Sequence, residues 1–261
     1  MKKSIAVYSV LLAVIMCFTL SACSKKNKSA DNNSAAQNSS EIVITEYQVG
    51  TNDGYDYEFW KNESAAGAMT LGEGGAFHCQ WSSRGSGSNI LFRSGRRFGS
   101  THTFDQVGDI SIKYTASYYN PSGTSYLSVY GWLYTPDDLS KLVEFYIVDN
   151  YHGDYHPGRE GSGVPDGRFE IPGEGTYNVY TRKMYQQSSV AGTGKYDFTQ
   201  YISVRTEKRL SGTISVSKHF KKWQELGLDM SGNLYEAMMK VEGYQSSGTA
   251  YITENIITVT K

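Results

Sequence analysis

Short segments in which apolar and polar residues alternate recur from about residue 41 to residue 261, separated by turns rich in glycine, asparagine and serine. This alternation places successive side chains on opposite faces of a strand, so each segment predicts a strand with one buried face. The clearest segments are residues 111–119, 125–132, 142–148, 176–180, 196–206, 235–244 and 251–259. Asn120-Pro121-Ser122-Gly123 carries a strong turn signal and is expected to join the first two. Many short strands at this spacing predict an all-β fold, a two-sheet sandwich or jelly roll.

One stretch, residues 217–227, has the periodicity of a helix. Phe220, Trp223 and Leu226 stand at i, i+3 and i+6, and Gly227 is a typical C-terminal stop. We expect a short helix that buries this stripe against the back of the sheet.

The first 44 residues predict export and contribute nothing to the fold. Residues 1–23 begin with Lys2 and Lys3, continue in a mainly apolar run and end in Leu-Ser-Ala-Cys, which resembles the lipidation signal of bacterial lipoproteins at Cys23. A plain secretory signal with a chance cysteine is the alternative. Residues 24–44 lack apolar periodicity and predict a flexible tether. We therefore expect a protein exported to the cell surface on a lipid, or else secreted, with a folded domain at residues 45–261.

Charge and cysteine usage limit the partners. A formal net charge of −1 at pH 7 gives no electrostatic reason to expect nucleic acid. Cys79 is the cysteine left after removal of the leader and lipidation of Cys23, so we expect a small buried hydrophobe and a domain without disulfides. No phosphate-binding glycine loop precedes a helix, and no metal or organic cofactor is indicated.

Two glutamates stand in aromatic-rich segments that predict strands. Glu144 lies within residues 141–149 and Glu242 opens residues 242–248. A carboxyl group among apolar neighbours is costly to bury without a role, because desolvation disfavours its charged form. Two such groups on one concave sheet lined by tyrosine and tryptophan are what cleavage of a glycosidic bond requires.

Several separated motifs then match one family in order. They are DGYDYEFW (53–60), YLSVYGW (126–132), LVEFYIVD (142–149), YDFTQYISVR (196–205) and EGYQSSG (242–248). Across residues 45–260 the sequence resembles the jelly-roll endo-β-1,4-xylanases, glycoside hydrolase family eleven. The resemblance implies two twisted sheets, one short helix and a xylan cleft across the concave sheet. It also implies that xylan or xylo-oligosaccharides are the substrate, and we expect a monomer.

The resemblance assigns a role to each carboxylate. It implies that Glu144 is the nucleophile and Glu242 the general acid/base of a retaining enzyme, whose carboxyl groups must lie about 5–5.5 Å apart. The charge of Glu144 would help to keep Glu242 protonated near neutrality. Tyr130 and Tyr146 match tyrosines whose hydroxyls face the nucleophile. His219 matches a structural histidine that could hydrogen-bond Ser203.

Further matches concern the substrate. Trp60 corresponds to a tryptophan that stacks on a distal xylose ring, Gln200 to a sugar-contacting glutamine, and Ser189 to a position at the tip of the thumb. Asn89 corresponds to the residue beside the acid/base, and asparagine there implies an optimum near neutral pH. Trp81 and Trp132 are expected to pack in the sheet and not in the site.

The thumb itself is expected at residues 186–194, whose glycine and serine content fits a mobile hairpin. Met184 and Ser188 depart from the arginine and proline that many relatives have there. Two alternatives to a xylanase stay open: a jelly-roll protein that binds xylan without efficient catalysis, and a related glucanase, since fold alone separates none of these.

Overall fold

A computed structural model describes residues 41–153, 156–158 and 164–261. The predicted signal peptide, the predicted lipidation site at Cys23 and all but the last four residues of the predicted tether lie outside the described residues. Within them, no helix is long and apolar enough to cross a membrane.

Thirteen strands of the described residues are hydrogen-bonded together, which confirms the all-β prediction. The strands are β1 Ile42–Ile44, β2 Gln48–Asn52, β3 Tyr55–Lys61, β4 Ala66–Leu71, β5 Phe77–Ser83, β6 Asn89–Arg97, β7 Asp109–Leu133, β8 Val143–His152, β9 Gly167–Ile171, β10 Gly175–Ser189, β11 Gly192–Arg205, β12 Ser211–Ile214 and β13 Leu234–Thr260. β1 pairs with β4, so the sheet includes residues that precede the domain boundary predicted at residue 45.

Two long strands, β7 and β13, build both layers. One half of β13 pairs with β6 and the other half with β5, while β7 follows it antiparallel along nearly its whole length. The first half of β7 also pairs with β12 and its second half with β8. The inner layer therefore runs β2-β3-β6-β13-β7-β8-β11-β10-β9, and the outer layer contains β1, β4, β5, β12 and the other halves of β13 and β7.

The turn predicted at residues 120–123 does not reverse the chain. Both segments that flank it pair with β13, and the register shifts between the pairs Ser247–Ser122 and Thr249–Tyr119. Gly123 takes a φ of 69°, and a Cβ there would lie 2.3 Å from the carbonyl oxygen of Gln245. The local signal predicts a turn between two strands, but it marks a bulge in one long strand. For the same reason the strands predicted at residues 235–244 and 251–259 are two parts of β13.

The main helix, α2, spans Val216–Glu225 and confirms the helix prediction. Phe220 and Trp223 are fully buried, but Leu226 follows the last helical residue and is 40% exposed. The predicted stripe was wrong at that position; Val216 and His219 complete the buried face instead. A four-residue helix α1, Phe104–Val107, and a 3-10 turn, Leu139–Lys141, were not predicted because they are too short to show periodicity.

A contact with helix α2 shows which face of β8, the strand that carries Glu144, points into the core. The ring of Phe145 lies 4.9 Å from that of Phe220, on the core side of β8. Since neighbouring residues of a strand point to opposite faces, Glu144 and Tyr146 face the other way, over the inner layer. Cys79 is fully buried in the core, as predicted.

Candidate active site

The inner layer is concave and holds a cleft of about 1530 Å³. Glu144 and Glu242 both line it, and so do Trp60, Asn89 and Ser189. β7 lies between their strands: Trp132 pairs with Glu144 on β8, and Tyr126 pairs with Glu242 on β13. The fold thus brings to one cleft two carboxyl groups that are far apart in the sequence.

Glu144 is held by three donors. The hydroxyls of Tyr130 and Tyr146 donate to its Oε1 at 2.7 and 3.0 Å, and Nε2 of Gln200 donates to its Oε2 at 2.7 Å. Tyr146 lies two residues along the same strand, Tyr130 on β7 and Gln200 on β11, where it pairs with Glu144. Three donors on one carboxyl group hold it in one orientation.

Both tyrosines keep their protons. Burial, and next the charge of Glu144, raise the pKa of Tyr130 and of Tyr146 well above the ordinary value. They therefore act as neutral donors across the whole pH range of a folded protein.

Trp132 belongs to this arrangement, although the sequence analysis left it out. Its Nε1 donates to the Tyr130 hydroxyl at 2.8 Å, and the residue lines the cleft. The available signal was its spacing of two residues from Tyr130, which puts both on one face of β7. Trp81 is a core residue, as expected, and donates to Ser246 at 2.9 Å.

Gln200 lines the cleft, where the resemblance implies a sugar contact. Its amide also donates to Oε2 of Glu144, and the residue is 8% exposed. Its contact to Glu144 makes it a positioning residue for that carboxyl group.

Glu242 has a different environment from Glu144. Nδ2 of Asn89 donates to its Oε1 at 3.0 Å, and the ammonium of Lys240 donates to its Oε2. Asn89 therefore lies beside Glu242, where the resemblance places it. Lys240 was missed by the sequence analysis, although it stands two residues before Glu242 and so shares its face.

The predicted thumb is the hairpin between β10 and β11. Ser189 pairs with Gly192, and its Oγ accepts the backbone N–H of Ala191 at 3.1 Å. Val190 and Ala191 pack against a cluster formed by Tyr130, Trp132, Leu142 and Phe198, which places the tip over the cleft. Met184 packs against the same cluster, so this departure from the family pattern contributes apolar contact and not a hydrogen bond.

The profile of one known family, the Glycosyl hydrolases family 11, matches residues 52–253. The chain belongs to this family. It is 48% identical over 213 residues to endo-1,4-beta-xylanase A of Bacillus pumilus, which covers 82% of this chain and 85% of that protein. It is also 46% identical over 217 residues to endo-1,4-beta-xylanase A of Thermoclostridium stercorarium, covering 83% of this chain but 31% of the relative, so this chain spans about a third of that protein's length.

Solved structures agree with the family assignment. The family 11 xylanase from Neocallimastix patriciarum superposes with a TM-score of 0.75 at 35% identity, over 84% of this chain and all of that one. The β-jelly-roll prediction is thereby confirmed.

A cluster of arginine and glutamate side chains lies further along the cleft of this family 11 chain. Arg93 pairs with Glu58 and Glu236 at 2.6 Å each, and Arg97 reaches Glu58 at 3.1 Å. Burial raises the pKa of Glu236, opposed by Arg93 and Arg97. The two arginines and the two glutamates are therefore paired with one another.

Within residues 41–153, 156–158 and 164–261, no group of three or more His, Cys, Asp or Glu side chains could hold a metal ion.

Proposed function

We propose that this family 11 chain is an endo-1,4-β-xylanase that cleaves xylan with retention of configuration. The observation that carries the proposal is that two carboxyl groups, Glu144 and Glu242, line one cleft. Glu144 accepts three hydrogen bonds from neutral side chains that orient it, while Glu242 has one amide and one ammonium as neighbours. The match to family 11 supports Glu144 as the nucleophile and Glu242 as the acid/base.

In the first step Glu242 gives its proton to the leaving glycosidic oxygen, while an oxygen of Glu144 attacks the anomeric carbon. The C–O bond to the leaving chain breaks, and a glycosyl ester on Glu144 forms. In the second step Glu242, now a carboxylate, takes a proton from water, whose oxygen attacks the same carbon and releases Glu144.

Substrate recognition relies on neutral surfaces. We infer that Trp60 stacks on a xylose ring, because the C–H faces of a pyranose pack on indole without charge. The thumb, with Ser189 at its tip, would close over the chain. The names of the Bacillus pumilus and Thermoclostridium stercorarium relatives support a β-1,4-xylan substrate.

For the N-terminal region we propose export and lipid attachment at Cys23, on the strength of the sequence pattern. Labelling with radioactive palmitate in a bacterial host should mark the wild type and not Cys23→Ala. Absence of label from the wild type as well would favour a plain secretory signal.

The test is release of reducing sugar from xylan and from carboxymethyl-cellulose. We expect activity on xylan only, lost in Glu144→Gln and in Glu242→Gln. Glu254→Gln is the matched control, since Glu254 lies on the same strand β13 but pairs with Lys113 away from the cleft. Binding of xylan without cleavage by the wild type would instead support a binding protein, and release from carboxymethyl-cellulose would support a glucanase.

A further inference from the structure

Lys240 is fully buried behind side chains that line the cleft, and a lysine is rarely found fully buried. Its ammonium contacts Oε2 of Glu242 and lies 3.9 Å from the ring centre of Tyr130 and 4.1 Å from that of Tyr146. Those two rings carry the hydroxyls that bind Glu144. The ammonium is therefore enclosed by the faces of two aromatic rings and one carboxyl group, and it stands beside both proposed catalytic groups.

We propose that Lys240 is a positioning residue that acts through Glu242, serving as the counter-ion that sets how readily Glu242 holds its proton. This inference rests on the proposed function and adds a regulator of its pH range. The observation behind it is the direct contact of a buried cation with the general acid, a group that must be protonated to start the reaction.

The neighbouring strands carry other ionisable groups on this face. β8 contributes Glu144 and Tyr146, β7 contributes Tyr126 and Tyr130, and β6 contributes Arg93. Arg93 is paired at 2.6 Å with Glu58 and with Glu236, so its charge is already balanced. Lys240 is thus the cation that Glu242 meets directly.

The charged form of Lys240 depends on the nearby carboxyl groups. Burial lowers the pKa of Lys240, opposed by the charges of Glu242 and Glu144, with Arg93 lowering it further. A buried ammonium without an opposite charge costs several kcal/mol, so the charged lysine requires one carboxylate beside it.

In the proposed reaction one of the two glutamates is a carboxylate at every stage. Before the first step Glu144 is the carboxylate and Glu242 holds the proton. When the glycosyl ester forms, Glu144 loses its charge and Glu242, having given up its proton, becomes the carboxylate. Lys240 contacts Glu242 and interacts electrostatically with Glu144, so one cation balances the single negative charge as it moves from one glutamate to the other.

The direction of the effect on pH dependence follows from the charge. A cation beside a carboxyl group favours the carboxylate, so a general acid in such a contact is expected to give up its proton at lower pH than one without a cation. Activity that needs protonated Glu242 then declines earlier as pH rises. Lys240 therefore shifts the alkaline limb of the pH–rate profile toward acid, whereas Asn89, on the other oxygen of Glu242, adds no charge.

The experiment compares kcat/KM on a xylo-oligosaccharide from pH 4 to 10 for the wild type, Lys240→Met and Lys240→Arg. Methionine keeps the length and apolar volume of the side chain but not its charge. We expect the alkaline limb of Lys240→Met to move upward by about one pH unit or more, the size expected for loss of an opposite charge at this range. Lys240→Arg should keep the limb near that of the wild type, and Lys113→Met, which removes an exposed lysine paired with Glu254, should leave it unchanged.

An unmoved limb in an active Lys240→Met enzyme would overturn the proposal, because a lysine that only fills space would give that result. Two measurements do not depend on the variant being active. The ¹⁵N shift of Lys240 Nζ in the wild type should be that of an ammonium at the working pH, and that of a neutral amine would contradict the proposal. The ¹³C titration of the Glu242 carboxyl should move to higher pH in Lys240→Gln. Failure of the wild type to cleave xylan would count against the proposed function, whereas these two signals would still decide the role of Lys240.

Discussion

Two buried acidic clusters lie on opposite faces of β8 and are built from the same kinds of residue. On the cleft face Glu144 accepts from Tyr130, Tyr146 and Gln200. On the core face Asp149 accepts from Tyr114 and Arg209. Glu174 accepts from the backbone N–H of Ser215 and is hydrogen-bonded to His219, and Tyr177 lies within hydrogen-bond distance of both carboxyl groups. Exposure does not distinguish them, since Glu144 is 7% and Glu174 6% accessible.

The difference lies in what the remaining surface of each carboxyl group meets. Glu144 lines an open cleft beside a second carboxyl group, whereas every oxygen of Asp149 and Glu174 has a donor inside the core. Burial and hydrogen bonds to tyrosine are therefore shared by the proposed nucleophile and a carboxylate inside the core. In the proposed mechanism, access to substrate and a nearby proton donor are what distinguish Glu144.

The largest effect on activity is expected from substitution of Glu144 in the cleft cluster. Glu144→Gln should lower kcat on xylan at least about a thousand-fold, because it removes the proposed nucleophile. Its thermal unfolding midpoint should stay within a few degrees of the wild type. A variant that keeps a tenth of the activity would show that the cleft cluster is structural like the core cluster.

Truncation of Glu174 in the core cluster should instead reduce stability and leave kcat unchanged. Glu174→Ala leaves His219 and the N–H of Ser215 without their acceptor in the core, and breaking such a buried pair costs about 3–5 kcal/mol. Denaturant unfolding should show this loss, while kcat, measured where the variant is folded, stays that of the wild type. A catalytic defect in fully folded protein would break the comparison.

A matched pair of tyrosines sharpens it further. Tyr130→Phe removes a donor to Glu144 and should reduce kcat by about ten- to a hundred-fold, a loss of about 1.5–3 kcal/mol for a hydrogen bond to a charged group. Tyr177→Phe removes a donor to Asp149 and Glu174 and should reduce the free energy of unfolding by a similar amount. Equal effects of both variants on kcat would contradict the division of roles.

The smallest effect concerns the pH dependence of stability. Burial raises the pKa of Glu174, but the hydrogen bond from His219, its charge and the N–H of Ser215 outweigh this and lower the pKa below its ordinary value of 4.5. A carboxyl group with a depressed folded pKa stabilises the protein above the unfolded value, and the stabilisation is lost as pH falls through the folded value. Urea unfolding between pH 6 and 3 should therefore show a shallower acid decline in Glu174→Gln than in the wild type. Parallel curves would rule out this contribution.

Local patterns predicted much of this molecule. Alternation identified the strands, and the spacing within α2 identified Phe220 and Trp223 as buried. Patterns failed where partners decide the outcome, since a turn signal at residues 120–123 became a bulge once both flanks paired with β13. The resemblance implied that His219 could hydrogen-bond Ser203, but His219 hydrogen-bonds Glu174. The Ser203 hydroxyl instead accepts a hydrogen bond from Nε1 of Trp223.

The sequence by itself determined the family, the all-β class and the two glutamates, because motifs and the period of two are properties of neighbouring residues. Only the tertiary structure decided that Gln200 and Trp132 support Glu144 directly or through Tyr130, and that Lys240 contacts Glu242. Those contacts depend on which strands lie side by side and on how long side chains share one buried space. Such facts arise from the register of β6, β7, β8, β11 and β13 together, which no single segment encodes.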